Sequence, residues 1–95
     1  INKGTAVEVY FYGTSVEYKC VTGNDLGITN IIVDCKIKGE FDLYSKSDVF
    51  DVTGFLDDNL KEGFHTLRIE ATDRKNKHSN GTGLSFNGVD IKKLG

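Results

Sequence analysis

Residues 63–72 constrain this chain more than any other stretch, because they alternate with period two. His65, Leu67, Ile69 and Ala71 fall on one face, and Thr66, Arg68 and Glu70 fall on the other. That is the pattern of a strand half buried against a core. A strand of this kind needs neighbours to pair with and an apolar layer to cover it, and the rest of the chain is read as supplying both.

Residues 5–12 set Val7, Val9 and Phe11 against Glu8, Tyr10 and Tyr12, and after Gly13 a second run sets Val16, Tyr18 and Cys20 against Ser15, Glu17 and Lys19. Both read as strands. Gly23-Asn24-Asp25-Leu26-Gly27 is a dense turn cluster, and in residues 28–37 Thr29, Ile31, Val33, Cys35 and Ile37 share a face. This predicts a hairpin between the second run and residues 28–37. Lys38-Gly39-Glu40 is expected to turn, residues 41–44 to form a short strand, and residues 48–53 another. Residues 56–63 place Leu56 and Leu60 four apart but are too short for a stable helix alone, so they read as a turn or one helical turn. Residues 73–81 form the longest polar loop. The last strand is expected over residues 82–94, with a change of phase at Asn87-Gly88 that suggests a bulge. Six or seven short strands, Gly and Asn turns and no amphipathic helix describe an all-β chain folded as an antiparallel β-sandwich.

The 95 residues suit one domain with a compact core. The chain begins at Ile1 and is expected to be a fragment or processed piece of a longer protein. A net charge of -2 with no basic stripe argues against nucleic acid as a partner, and no apolar run approaches the roughly 18 residues of a membrane-spanning helix. Cys20 and Cys35 lack metal-site spacing. In the expected hairpin they stand too far apart for a disulfide, so both read as buried thiols.

Enzyme chemistry finds little footing. Ser85, in Gly83-Leu84-Ser85-Phe86-Asn87, misses the nucleophile elbow and its strand-to-helix turn. Gly81 and Gly83 lack the later Gly and the helix of a dinucleotide site. His65 reads as a core residue whose ring is hydrogen-bonded near the preceding turn, with no partner that would make it a base. Asp57, Asp58, Asn59 and Glu62 gather oxygen atoms without the spacing of a calcium loop and read as a solvated acidic turn. Asn80-Gly81-Thr82 fits the N-glycosylation acceptor pattern.

Several segments taken together carry more. Phe11-Tyr12-Gly13-Thr14-Ser15-Val16, the Gly-rich turn, Ile31-Ile32-Val33-Asp34-Cys35, Leu60-Lys61-Glu62-Gly63-Phe64-His65-Thr66-Leu67-Arg68-Ile69, Lys75-Asn76-Lys77-His78-Ser79-Asn80-Gly81 and Phe86-Asn87-Gly88-Val89-Asp90-Ile91 succeed one another in order. In this the chain resembles the galactose-binding-like jelly-roll domains, which occur as carbohydrate-binding modules and accessory domains of bacterial secreted glycoside hydrolases. Two positions depart from the pattern: Cys35 stands where Gly usually follows Asp34, and Asn87 where the last strand usually has Asp. Such domains also commonly carry a further N-terminal strand before the segment at Thr5; either it is missing here or another chain supplies it.

The resemblance implies a non-catalytic carbohydrate-binding accessory module of a larger extracellular protein, secreted or at the cell surface, acting by avidity. Its partners would be a glycan and the adjoining domains of the parent chain, with neither nucleic acid nor membrane. It implies no cofactor; a structural calcium is compatible with such modules, but no ligands for one are matched. The alternative is a structural or adhesive module that binds protein through an unpaired sheet edge or a Tyr-bearing face.

A sugar site offers aromatic faces to the apolar side of the ring and fixed polar groups to its hydroxyls. The chain has no Trp, so the platforms available are Tyr10, Tyr12, Tyr18 and Tyr44, with Tyr10 and Tyr12 expected on the outer face of the first strand. The loop at residues 74–80 concentrates Arg74, Lys75, Asn76, His78 and Asn80. The ligand-binding residues expected are Tyr10, Tyr12, Arg74, Asn76, His78 and Asn80. The plainer readings are packing for the Tyr stripe and solvation for the loop.

Overall fold

A computed structural model describes residues 5–93. Seven strands form: β1 (Ala6–Gly13), β2 (Ser15–Thr22), β3 (Ile28–Val33), β4 (Lys36–Asp42), β5 (Val49–Asp57), β6 (Gly63–Ala71) and β7 (Gly88–Lys92). They make a four-stranded sheet in the order β1-β6-β3-β4 and a three-stranded sheet in the order β5-β2-β7. Every pair of neighbouring strands is antiparallel. The two sheets pack face to face as a β-sandwich.

The alternation in the sequence is what lets the sheets close on each other. Phe11 of β1, Leu67 and Ile69 of β6, and Ile31 and Val33 of β3 point inward from the larger sheet, and Val16, Tyr18 and Cys20 of β2 meet them from the smaller. Residues 63–72 are indeed central, since β6 is paired on both sides, with β1 and with β3. Tyr18 is fully buried, stacks on Phe86 with ring centroids 5.7 Å apart, and donates its hydroxyl to the Ser85 carbonyl at 2.5 Å. Its inward position removes it from the candidate platforms. Burial pushes the Tyr18 phenol above its ordinary value and does the same to the Cys20 thiol.

The expected hairpin between the second and third strands does not form, because β2 and β3 lie in different sheets. Both strands have a mainly apolar face, Val16, Tyr18 and Cys20 on one and Ile31 and Val33 on the other, and opposing them across the core buries both faces. The turn cluster becomes a crossing between the layers, held by Gly23 N–H donating to the Leu43 carbonyl at 3.0 Å and Gly27 N–H to the Gly83 carbonyl at 2.9 Å.

Residues 28–37 are not one strand either. The chain reverses at Asp34 and Cys35, with φ of +51° and +66°, the two-residue turn that suits a tight hairpin. Period-two patterning does not register such a reversal, because Cys35 and Ile37 keep the parity of Val33. Cys35 is consequently exposed at the hairpin tip rather than buried, while Cys20 is buried as expected. Ile37 pairs with Ile32 on the outer face and is 70% exposed. Lys38-Gly39-Glu40 lies inside β4 instead of turning; Lys38 is the extra residue of a bulge opposite Ile31 and Ile32. Phe41 and Asp42 complete β4, after which Leu43 is fully buried and Tyr44 makes a single parallel bridge to Gly23.

β5 extends to Asp57, and residues 58–62 are not helical. The last strand is shorter than expected. Only Gly88–Lys92 pairs with β2, while Leu84 and Phe86 pack on the core from an unpaired stretch. The change of phase therefore marks where pairing begins, at Gly88 with φ +122°, and not a bulge within a ladder. Leu94, at the end of the expected strand, lies outside the described residues.

Candidate functional site

The outer face of the four-stranded sheet carries what the inner face excludes. By parity, the residues that alternate with Val7, Val9 and Phe11 on β1 are Glu8, Tyr10 and Tyr12, and those that alternate with Leu67 and Ile69 on β6 are Phe64, Thr66, Arg68 and Glu70. The ladder sets Tyr12 opposite Phe64, Tyr10 opposite Thr66 and Glu8 opposite Arg68. Tyr12 and Phe64 meet edge to face, with ring centroids 5.0 Å apart, a favourable arrangement for two aromatic rings. Phe64 is 85% exposed and Tyr10 74%. Adjoining exposed rings mark interaction surfaces more often than apolar residues scattered singly do.

Polar groups rim the patch. The Tyr10 hydroxyl donates to Glu8 Oε1 at 2.5 Å, and this hydrogen bond raises the phenol's pKa. The Tyr12 hydroxyl reaches Glu62 Oε2 at 3.4 Å. Arg68 lies between Glu70 at 3.1 Å and Glu8 at 3.5 Å, and its hydrogen bond to Glu70 is the leading cause of its raised pKa. Phe64 was not among the site residues expected, yet its signal was in the sequence: a large apolar ring on the parity otherwise occupied by Thr66, Arg68 and Glu70.

The loop residues lie elsewhere. Loop 73–81 follows Ala71, at the far end of β6 from Phe64, so about 23 Å of strand separates the two places at the usual rise per residue. Tyr10 and Tyr12 are not brought together with Arg74, Asn76, His78 and Asn80. Within the loop, most donors already serve the fold. Arg74 is paired with Glu40, whose carboxyl this bond holds below its usual range. Asn76 donates from Nδ2 to Asp42 Oδ2 at 3.0 Å and accepts the His78 amide at 3.0 Å. Lys75 donates to the Ser79 carbonyl at 2.9 Å, and the Asn80 amide to the Asn24 carbonyl at 2.7 Å. Ser79, 4% exposed, donates to the Leu26 carbonyl at 2.6 Å. The His78 ring leans on Tyr44 with centroids 6.1 Å apart. Half-buried Tyr44 thus belongs to this end of the sandwich, not to the outer face.

His65 does point inward, against Phe11, and its Nε2 reaches the Lys61 carbonyl at 2.6 Å in the preceding turn. That is the hydrogen bond expected near the turn, and a second partner joins it: Nδ1 lies 2.6 Å from Asp34 Oδ2. A carboxylate and a carbonyl can only accept, so the two contacts together favour the ring that carries both protons. Asp34 and the Lys61 carbonyl accordingly raise the His65 pKa. Partial burial works against ionising Asp34, but hydrogen bonds from His65 and from the Thr66 amide at 2.9 Å outweigh it and hold the carboxyl below its usual range. With both nitrogens occupied, this ring ties two turns together.

Among the described residues no three of His, Cys, Asp and Glu gather as a metal site. In the acidic turn Asp57 accepts the Asn59 amide at 3.0 Å. Comparison with protein-family models and with curated proteins matches none of them to this chain.

Proposed function

We propose that the chain is a non-catalytic carbohydrate-binding accessory module of a larger extracellular protein, as its resemblance to galactose-binding-like jelly-roll domains implies. The glycan lies across Tyr10, Tyr12 and Phe64 rather than in loop 73–81. The observation that carries this is the pairing of Tyr12 with Phe64 beside Tyr10, three exposed rings next to a row of Glu8, Thr66 and Arg68. The C–H face of a sugar stacks on such rings, and carboxylate, hydroxyl and guanidinium match its hydroxyls. A weak site of this kind works by tethering, which raises the local concentration of glycan around the parent protein's other domains. The loop supports the reading less well because Arg74 and Asn76 are engaged with Glu40 and Asp42.

Isothermal titration against a panel of oligosaccharides tests this. Binding that is lost in Tyr10→Ala and Phe64→Ala, with thermal stability retained, is expected. Binding to no glycan, or binding lost only when Arg74 and His78 are replaced, would overturn it.

One observation favours a second reading, a protein partner on the same face. Phe64 has no polar atom to offer a sugar, and Ile37 is also exposed further across this sheet. Retention of a protein from neighbouring domains of the parent chain by wild type but not by Phe64→Ser, without glycan binding, would select that reading.

A further inference from the structure

Among the described residues the two sheets end in four strands, β1, β4, β5 and β7, and three of them are guarded against pairing. β4 carries Lys36 and Lys38 and a bulge. β5 has two register shifts against β2 and a left-handed residue, Asp51, with φ +59°. β7 is only five residues long and ends at Lys92. Lysines, bulges and shortness are the usual devices that keep an edge from recruiting another strand. β1 has none of them. It runs eight residues in unbroken register with β6, without Lys, Arg or Pro. The end of β7 approaches it at the Gly13 end and at Thr14 beyond.

The parity of its backbone is also determined. The Ala71 amide donates to the Thr5 carbonyl at 2.8 Å, so odd-numbered residues of this ladder bond to β6. The N–H and C=O groups of Ala6, Glu8, Tyr10 and Tyr12 therefore face the open side.

We infer that β1 pairs antiparallel with β1 of a second copy, about a two-fold axis at Val9, giving a dimer with one continuous eight-stranded sheet. This register uses all four outward-facing residues in hydrogen-bonded pairs. It sets Ala6 against the partner's Tyr12, Val7 against the partner's Phe11, Glu8 against the partner's Tyr10, and Val9 against itself. Small side chains thus meet large ones, and the carboxylate meets a phenol, the group it already accepts within one chain. A register centred on Glu8 would instead oppose two carboxylates, which is unfavourable. Val7 and Val9 are only partly buried in one copy, and the partner strand covers their open side. The outer faces stay open, so the dimer places two aromatic patches on one surface. The inference does not rest on glycan binding.

Light scattering across a concentration series, without sugar, is the first test, and a mass rising to that of a dimer is expected. Hydrogen exchange gives the register: on dilution the amides of Ala6, Glu8, Tyr10 and Tyr12 lose protection while those of Val7, Val9 and Phe11 keep it. Glu8→Pro removes an amide that faces the partner, whereas Glu8→Ala removes the same side chain and keeps the amide. A dissociation constant at least tenfold weaker for the first than the second is expected. A monomer at every concentration, equal dimerisation of the two variants, or a dimer in which the even-numbered amides of β1 stay unprotected would each overturn the inference.

Discussion

His65 and Asp34, 31 residues apart in sequence, stand 2.6 Å apart in the fold, where the ring of one ties the β3–β4 turn to the turn before β6. The same ring reaches the Lys61 carbonyl at 2.6 Å, so one charged side chain holds two connections at one end of the sandwich.

Stability should depend on pH through this pair. The His65 pKa is raised, so its contribution is complete below about 6.5, the unfolded value, and is lost as pH rises through the folded one. The Asp34 pKa is lowered, so its contribution is complete above about 3.9 and is lost as pH falls through the folded value. The pair therefore stabilises most between about pH 4 and pH 6.5. Charge-assisted hydrogen bonds of this type contribute about 1.5–3 kcal/mol when enclosed, and the exposure of Asp34 reduces that to about 1 kcal/mol. Urea unfolding of wild type and His65→Asn from pH 4 to pH 9 should converge at the alkaline end. A constant gap between them would remove the assignment of a charged ring.

Cys35→Gly should stabilise the chain by about 0.5–1 kcal/mol. Cys35 has φ +66° and is exposed, so Gly relieves an unfavourable backbone without giving up buried contacts. Thermal melting in reductant measures it, and a lowered midpoint would mean the thiol contributes something the geometry does not show.

Gly54→Ala should destabilise by about 1–3 kcal/mol, since it overpacks a filled core. An added Cβ would lie 2.7 Å from Tyr18 Cδ2 and Cε2, and that ring is fixed by its stacking on Phe86 and its hydrogen bond to Ser85. Combining it with Tyr18→Leu in a double-mutant cycle should show strong coupling. Additive effects would place the cost of the substitution elsewhere.

Ser79→Ala should loosen loop 73–81 before it unfolds the domain. Its buried hydroxyl donates to the Leu26 carbonyl at 2.6 Å and accepts the Gly81 amide at 3.3 Å, so its loss should cost about 1–2 kcal/mol. Limited proteolysis should cut the variant faster within the loop, with the strands still protected. Unchanged cleavage would show that backbone bonds such as Asn80 N–H to Asn24 hold the loop alone.

Which residues face inward was determined by the sequence itself. Period-two alternation placed Val16, Tyr18 and Cys20, and His65, Leu67, Ile69 and Ala71, on the buried side, because a strand's side chains have only two directions. It also placed Tyr10 and Tyr12 on the outer face, and the parity that exposes Phe64 was there to be read. Parity says nothing about where the chain reverses or which strand is its neighbour. Asp34 and Cys35 turn back without disturbing the alternation, so a hairpin was hidden inside an apparently continuous strand and the exposure of Cys35 with it. The separation of β2 from β3 was decided by the need of two apolar faces for each other across a core, a relation between distant segments. The same holds for the meeting of His65 with Asp34, for the engagement of Arg74 and Asn76 by β4, and for the unguarded edge of β1, since an edge exists only once the strands have been ordered.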